Sequence, residues 1–156
     1  MAASTFSDLD CSIARTLEIV GSRWTLLVLR DLFAGITRFD AIQADLGISR
    51  KVLAERLASL EEDGVIERRA YQHNPPRYDY VLTAKGSELG SVLLAMIAWG
   101  DRWAAGADGP PLLFRHEQCG NVTHAVAACS ECGEPLDHGN VTPVTPPGSR
   151  SAPAAA

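Results

Sequence analysis

The chain has 156 residues, of which 46% are hydrophobic and 21% charged, and its net charge is −5. This composition fits one globular domain with a real core and an additional segment, and it excludes a uniformly basic protein. No stretch approaches the roughly 18 apolar residues of a membrane span, and the first ten residues lack the features of a signal peptide. We therefore expect a soluble, cytoplasmic protein without a membrane partner.

The N-terminal part of the chain predicts two helices after a short arm at 1–8. Residues 11–34 carry apolar side chains at helical spacing, with an interruption at Gly21 and Ser22. In the second of these helices a stripe is expected to face the core, namely Trp24, Leu27, Val28 and Leu32.

Two further helices follow. The third is predicted at 38–45. The fourth is predicted at 49–63, because Ser49 can accept a bond from free N–H groups of the first turn and Gly64 can form a left-handed C-cap. Its leucines at 53, 57 and 60 share one face and the opposite face is polar, so only one side is expected to be buried.

A β-hairpin is predicted next. The segments 65–72 and 77–83 are rich in β-branched and aromatic residues, and they are joined through the sequence HNPP. Because two prolines do not fit a regular ladder, we expect a loose tip.

A long helix at 84–105 completes the central unit. Its apolar residues recur at helical spacing, namely Leu89, Val92, Leu93, Met96, Ile97, Gly100 and Trp103. This surface exceeds what one small domain needs, so we expect the first and last helices to form a homodimer. The alternative is a last helix that folds back on its own domain.

The order helix, turn, helix, hairpin is typical of a winged helix-turn-helix fold, which is mainly α with a small β-hairpin. We expect the fourth helix to enter the major groove of double-stranded DNA and the wing to contact the backbone. An ordinary solvated surface is the alternative reading of the same side chains. The candidate DNA-binding residues are Arg38, Ser49, Arg50, Lys51, Arg56, Arg68, Arg69, His73 and Arg77.

The segments GSRWTLLVLRDL, RFDAI, GISRKVLAERLASLEEDGVI, PPRYDYVLT and WGDRW occur in this order within residues 9–104. Together they resemble the HxlR-type (DUF24) winged helix-turn-helix transcriptional regulators of bacteria. The resemblance implies a homodimer on a pseudo-palindromic operator near a promoter, and no enzymatic activity. Ser12 departs from the family, which often has proline there, and Asp79 replaces a common glutamate.

Cys11 lies at the predicted start of the first helix. One subgroup of the family uses a cysteine there to sense oxidants or electrophiles, and exposed N–H groups at a helix N-terminus stabilise a thiolate. The alternative is a small buried apolar residue.

The segment 106–139 contains three of the four cysteines. His116 and Cys119 form one turn with metal-ligand spacing, Cys129 and Cys132 form a second, and a glycine follows each. Three thiolates and one imidazole predict a structural, zinc-ribbon-like site. His124 and His138 are rival ligands, and a redox pair of Cys129 and Cys132 is an alternative. We expect residues 140–156 to be disordered.

The sequence as a whole predicts a DNA-binding transcriptional repressor that is not an enzyme. No phosphate-binding glycine loop or catalytic triad stands out. Zinc is the expected cofactor, and a small molecule or an oxidant is a candidate effector. The alternative from another class is a protein-interaction module that uses the zinc-binding extension and the helix 84–105.

Overall fold

The elements follow one another in the predicted order. The computed structural model describes Phe6 and residues 9–145, so the rest of the predicted arm at 1–8 and the predicted tail from 146 onward lie outside the described residues. The helices are α1 (Ser12–Val20), α2 (Thr25–Phe33), α3 (Phe39–Leu46), α4 (Arg50–Glu62) and α5 (Ala84–Trp103). The strands are β1 (Ile66–His73), β2 (Pro76–Leu82), β3 (Phe114–Arg115) and β4 (Val122–Thr123).

Helix α4 begins and ends at the predicted caps. The Ser49 hydroxyl accepts a hydrogen bond from the Val52 N–H at 3.2 Å, which satisfies one of the free donors of the first turn. Gly64 follows the helix with a φ of 67°, in the left-handed region. Both capping predictions are confirmed.

A hydrophobic core joins α2, α3 and α4 to the start of β1. Each such buried side chain contributes roughly 1.5–3 kcal/mol relative to an exposed one. In α2 the prediction was wrong for one residue, because Leu27 is 38% exposed while Leu29 is buried. The buried cluster consists of Val20, Val28, Leu29, Leu32, Ile42, Ile48, Leu53, Leu57, Leu60, Val65 and Ile66.

The wing is an antiparallel hairpin of β1 and β2 with an irregularity between Ala70 and Gln72. The predicted loose tip is wrong: His73 pairs with Pro76, so only two residues separate the strands. Pro76 is tolerated because it is the first residue of its strand, where a missing N–H disturbs the ladder least.

A short segment before α3 adds to the hairpin, which the sequence did not predict. The Tyr80 N–H donates to the Thr37 carbonyl oxygen at 2.8 Å, and Arg38 forms an isolated antiparallel bridge with Asp79. The Thr37 hydroxyl also donates to the Asp79 carboxylate at 2.9 Å. These bonds tie the wing to the start of the helix-turn-helix.

Helix α5 starts against the core and passes a boundary between two compact units, which separate at Leu93 and Leu94. A Cβ at Gly86 would lie 2.1 Å from the Val65 carbonyl oxygen, so only glycine allows this close approach. This boundary lies before the predicted one at 105. Residues 94–103 belong to the second unit, where they line one cleft together with residues 110–126.

The extension consists of two small turns with strand-like flanks. Strands β3 and β4 pair around the turn that contains His116 and Cys119. Ala128 and Pro135 form an isolated bridge around the turn that contains Cys129 and Cys132. Residues 141–145 contain no helix or strand.

Candidate nucleic-acid interface

The first turn of α4 is exposed on the side opposite the core. Ser49, Arg50 and Lys51 are exposed there, while Leu53 and Leu57 are buried beneath the helix. The cap uses only an oxygen lone pair of Ser49, so its O–H remains able to donate to a ligand. The exposed, polar first turn of an α-helix can enter the major groove of DNA.

The surface around this turn is not basic in total charge. Between residues 37 and 83 the sequence has seven Arg or Lys residues and eight Asp or Glu residues. Any attraction for an anion must therefore come from the arrangement of the charges. Ion pairs within the chain determine which of the seven cations are available to bind a phosphate.

Four of the seven cations are bound to carboxylates of the same chain. In each case a DNA phosphate would have to displace the carboxylate or share the guanidinium with it. The pairs are Arg38 with Asp79 at 3.7 Å, Arg50 with Asp40 at 2.6 Å, Arg68 with Glu61 at 2.8 Å and Arg69 with Glu67 at 2.7 Å.

The other three cations have no such partner. Within Phe6 and residues 9–145, no carboxylate oxygen lies within 4.0 Å of the charged groups of Lys51, Arg56 or Arg77. Lys51 and Arg77 are exposed, whereas Arg56 is half-buried. Lys51 and Arg77 therefore meet an anion without first losing an ion pair.

The two neighbouring arginines of β1 lie on opposite faces of the wing, because successive side chains of a strand alternate. Arg68 packs over the Tyr78 ring at 5.3 Å, and its hydrogen bond to Glu61 raises the pKa of its guanidinium. Arg69 is paired in register with Asp79 on the other face. A single approaching duplex can meet only one of these faces directly.

The remaining predicted contacts divide between the wing and the segment before α3. The Arg38 guanidinium stacks 4.7 Å from the Tyr71 ring centre, which holds it beside the wing. His73 is exposed at the tip. The carboxylate partners of the four paired arginines were not predicted, namely Asp40, Glu61, Glu67 and Asp79. Of these, only Glu67 lies close enough to its arginine in the sequence for a local charge pattern to indicate the pair.

An ionic link joins the two helices that precede α4. The Arg30 guanidinium donates to Asp31 at 2.9 and 2.6 Å and also contacts Asp45 of α3. Asp31 is 1% exposed, and its Oδ2 has no hydrogen-bond partner among the described residues. Burial is the main cause that raises the pKa of Asp31 above its ordinary value of 3.8.

Cys11 precedes α1 as its N-cap residue, with φ −143° and ψ 125°. Its side chain makes no capping hydrogen bond. The residue is exposed in the single chain, so it does not belong to the core of its own domain.

The predicted metal ligands come together in pairs. His116 Nδ1 lies 3.3 Å from Cys119 Sγ, and hydrogen bonds from the backbone N–H groups of Cys132 and Glu131 lower the pKa of Cys129. No group of three or more His, Cys, Asp or Glu side chains placed to hold a metal is found in the described part of the chain.

In addition to this architecture and the exposed start of α4, more than half of the sequence matches a known protein family. Residues 19–108 match the HxlR-like helix-turn-helix family. The chain belongs to this family. Its HxlR-like relatives are transcriptional regulators of the helix-turn-helix type, and this chain is a regulator of the same type. No described helix is long and apolar enough to cross a membrane.

Three relatives illustrate the range of similarity. Rv3095 of Mycobacterium tuberculosis, an uncharacterised HTH-type transcriptional regulator, is 40% identical over 140 residues, which are 90% of this chain and 89% of the relative. The crystal structure of PA1607, provisionally assigned as a transcription factor, matches with a TM-score of 0.79 at 29% identity, covering 92% of this chain and 99% of that one.

The third is the reduced form of the redox regulator HypR. It matches with a TM-score of 0.55 at 29% identity and covers 59% of this chain and 92% of its own. An aligned length of 140 residues extends past residue 108, so the similarity to Rv3095 includes part of the extension. The HxlR-like regulators therefore include chains with and without a counterpart of this segment.

Proposed function

We propose that this HxlR-like regulator represses transcription as a homodimer bound to a pseudo-palindromic operator. The first turn of α4 from each copy lies in the major groove, and the wing contacts the neighbouring backbone. The observation that carries the proposal is the exposed turn in which Lys51 has no carboxylate partner among the described residues, on a helix whose other face packs against the core.

Base recognition is assigned to the first turn of α4. Arginine and lysine at the N-terminal end of a groove-bound helix can donate to guanine O6 and N7. Arg50 is stacked 4.7 Å from the Phe39 ring centre and bound to Asp40, so its guanidinium is already oriented. Lys51 supplies a mobile charge next to it.

The exposed apolar side chains of α1 and α5 support a homodimer. In α1 Ile13 is 71% exposed, and in α5 Met96, Trp99 and Trp103 are 50–66% exposed. Apolar residues concentrated in this way along helices are typical of an interface between protein chains. A twofold dimer would present two α4 helices to two inverted half-sites.

Repression follows from occupancy alone, since a dimer bound near a promoter excludes polymerase without further contacts. The regulator acts in the cytoplasm, where bacterial DNA is found. A small molecule or an oxidant that changes the dimer would release the operator.

The test is a selection of bound fragments from sheared bacterial DNA by the purified full-length chain, followed by titration of the enriched fragments at several salt concentrations. We expect two inverted half-sites one helical turn apart, about 34–36 Å. The logarithm of the affinity should fall linearly with that of the salt concentration, because phosphate contacts release counterions.

Absence of enrichment at low salt would overturn this proposal. Binding to protein partners with little salt dependence would favour the interaction module instead, since apolar burial is only weakly screened. Enrichment of a single, non-repeated half-site would contradict the homodimer.

A second candidate function is thiol-dependent regulation through Cys11. The exposed thiol before α1 favours it, and the similar protein HypR is a redox regulator. Oxidation there would alter a helix that we assign to the dimer interface. Diamide should then weaken operator binding by the wild type and have no effect on Cys11→Ser. Equal loss in both proteins would place the sensitive thiols elsewhere.

A further inference from the structure

The first turn of the extension, from His116 to Gly120, has a defined backbone geometry. The Gly120 N–H donates to the His116 carbonyl oxygen at 2.7 Å, and the His116 N–H donates to the Asn121 carbonyl oxygen at 2.9 Å. Gly120 has a φ of 72°, which side chains rarely adopt. The chain therefore reverses directly after Cys119.

The second turn, from Cys129 to Gly133, repeats this geometry. The Gly133 N–H donates to the Cys129 carbonyl oxygen at 2.9 Å, and the Cys129 N–H donates to the Glu134 carbonyl oxygen at 2.8 Å. Gly133 has a φ of 75°. The two turns thus share the same pair of hydrogen bonds and a left-handed glycine at the same place, although their sequences differ at the first ligand position.

Each turn carries two candidate ligands at matching positions. His116 Nδ1 and Cys119 Sγ are 3.3 Å apart, and the matching backbone hydrogen bonds place Cys129 and Cys132 at the corresponding positions of the second turn. Thiolate sulfur and imidazole nitrogen are the ligands that Zn²⁺ takes in closed structural sites, where four of them form a tetrahedron. Each turn is therefore half of such a site.

Apart from the open cleft that residues 110–126 share with residues 94–103, the extension has little apolar burial to stabilise it. None of residues 106–145 is buried, and its apolar side chains remain largely open to solvent, with Leu113 65%, Val122 59% and Val126 70% exposed. A segment of this size without a core usually depends on a metal or a disulfide. This points to a cross-link between the two turns.

We propose that the extension binds one structural Zn²⁺ through His116, Cys119, Cys129 and Cys132. The ion joins the two turns, which the described structure keeps as separate pairs, so that folding of the extension is coupled to metal binding. On binding, the three thiols lose their protons to solvent and each sulfur donates an electron pair to Zn²⁺. The neutral imidazole donates through Nδ1, so the site carries a net charge of −1 and no position is open to water.

The geometry favours His116 over the two other histidines of the extension. His116 occupies the first position of a turn that matches the one beginning at Cys129, and its Nδ1 faces Cys119. His124 follows strand β4, and its carbonyl oxygen accepts a bond from the Thr123 hydroxyl. His138 lies beyond both turns.

The test is metal analysis of the full-length chain after purification under reducing conditions, together with a Co²⁺ titration of the metal-free protein. We expect one zinc per chain. The cobalt spectrum should show intense thiolate charge transfer and the visible bands of a tetrahedral ion. Cys119→Ser, Cys132→Ser and His116→Ala should each lower the stoichiometry or the affinity by at least about tenfold, the lower bound seen when supporting groups of metal sites are changed.

The matched controls are Cys11→Ser and His124→Ala, which remove a thiol or an imidazole outside the proposed site and should bind the wild-type amount. Absence of zinc and of cobalt uptake in the wild type would overturn the proposal. So would uptake that Cys119→Ser and Cys132→Ser leave unchanged, or thiol counting that finds Cys129 and Cys132 joined in a disulfide. Because metal is measured without DNA, these results are independent of whether the operator proposal succeeds.

Discussion

Residues 12–83 and residues 106–145 are held in their folds by different means. The first region buries a continuous cluster of aliphatic side chains from four helices and a strand, while the second has no buried residue and consists of two hydrogen-bonded turns. The first can form from apolar burial alone, whereas for the second we propose a cross-link by a metal ion. One chain can therefore lose the structure of one region and keep that of the other.

Removal of metal should cause the largest difference between the two regions, since structural zinc contributes about 10–16 kcal/mol in isolated zinc-finger peptides. With a chelator, we expect limited proteolysis to cut within 106–145 while residues 12–83 stay protected. Mass spectrometry of the fragments gives the positions. Equal protection of both regions with and without the chelator would contradict a metal-dependent extension.

Truncation of a buried leucine should have the next largest effect, and only in the first region. Leu53→Ala removes a side chain that is 0% exposed, and the cavity should lower the free energy of unfolding by about 2–5 kcal/mol. Leu113→Ala in the extension is the control, because that side chain is already 65% exposed. Urea denaturation of both variants measures the difference, and similar losses would refute it.

Loss of a charge at α4 should affect DNA binding by a smaller amount and leave the folding of both regions intact. Lys51→Ala should weaken operator binding by about 1–3 kcal/mol if the lysine meets a base, or reduce the salt dependence by about one counterion if it meets a phosphate. Lys85→Ala is a matched control, because the Lys85 ammonium is already bound to the Asp63 carbonyl oxygen at 2.6 Å. Fluorescence anisotropy with a labelled operator distinguishes the two variants.

The weakest expected effect concerns the charge inside the core. Because burial raises the pKa of Asp31, the folded state holds this proton more tightly than the unfolded state, and protonation stabilises the fold. That gain is present below the ordinary value of 3.8 and is lost as the pH rises through the raised pKa. Asp31→Asn should remove this contribution.

Urea titrations across this acidic range, with wild type and Asp31→Asn side by side, isolate the contribution, since the other carboxylates titrate in both proteins. Arg30 keeps Asp45 as a partner in the variant. A difference in unfolding free energy that does not depend on pH would show that Asp31 does not titrate in this way.

Local signals in the sequence were sufficient where the structure depends on neighbouring residues. The caps of α4 and the strands of the wing were predicted to within one residue, because a capping serine, a left-handed glycine and a run of β-branched and aromatic residues act over a few positions. The spacing of His116 and Cys119 likewise predicted that they would meet.

The errors lie where tertiary contacts decide. Leu27 fits a helical stripe as well as Leu29 does, and only the packing of α3 and α4 selects the buried one. The link from Thr37 to Tyr80 and Asp79 joins positions about forty residues apart in the chain, which no local pattern encodes. The four-ligand site predicted in the extension stays a prediction, because the spacing within either turn does not set the distance between the two turns.

The carboxylates that hold Arg38, Arg50, Arg68 and Arg69 have a consequence for how the regulator searches a chromosome. Each one is an internal competitor for the group that a phosphate would occupy. On the proposed mode of binding, a contact at a wrong site would have to displace several of these carboxylates, each at a small cost, while only the operator offers phosphates and bases in register. In that mode, these carboxylates would weaken the attachment to every wrong site and shorten the time that the regulator spends there.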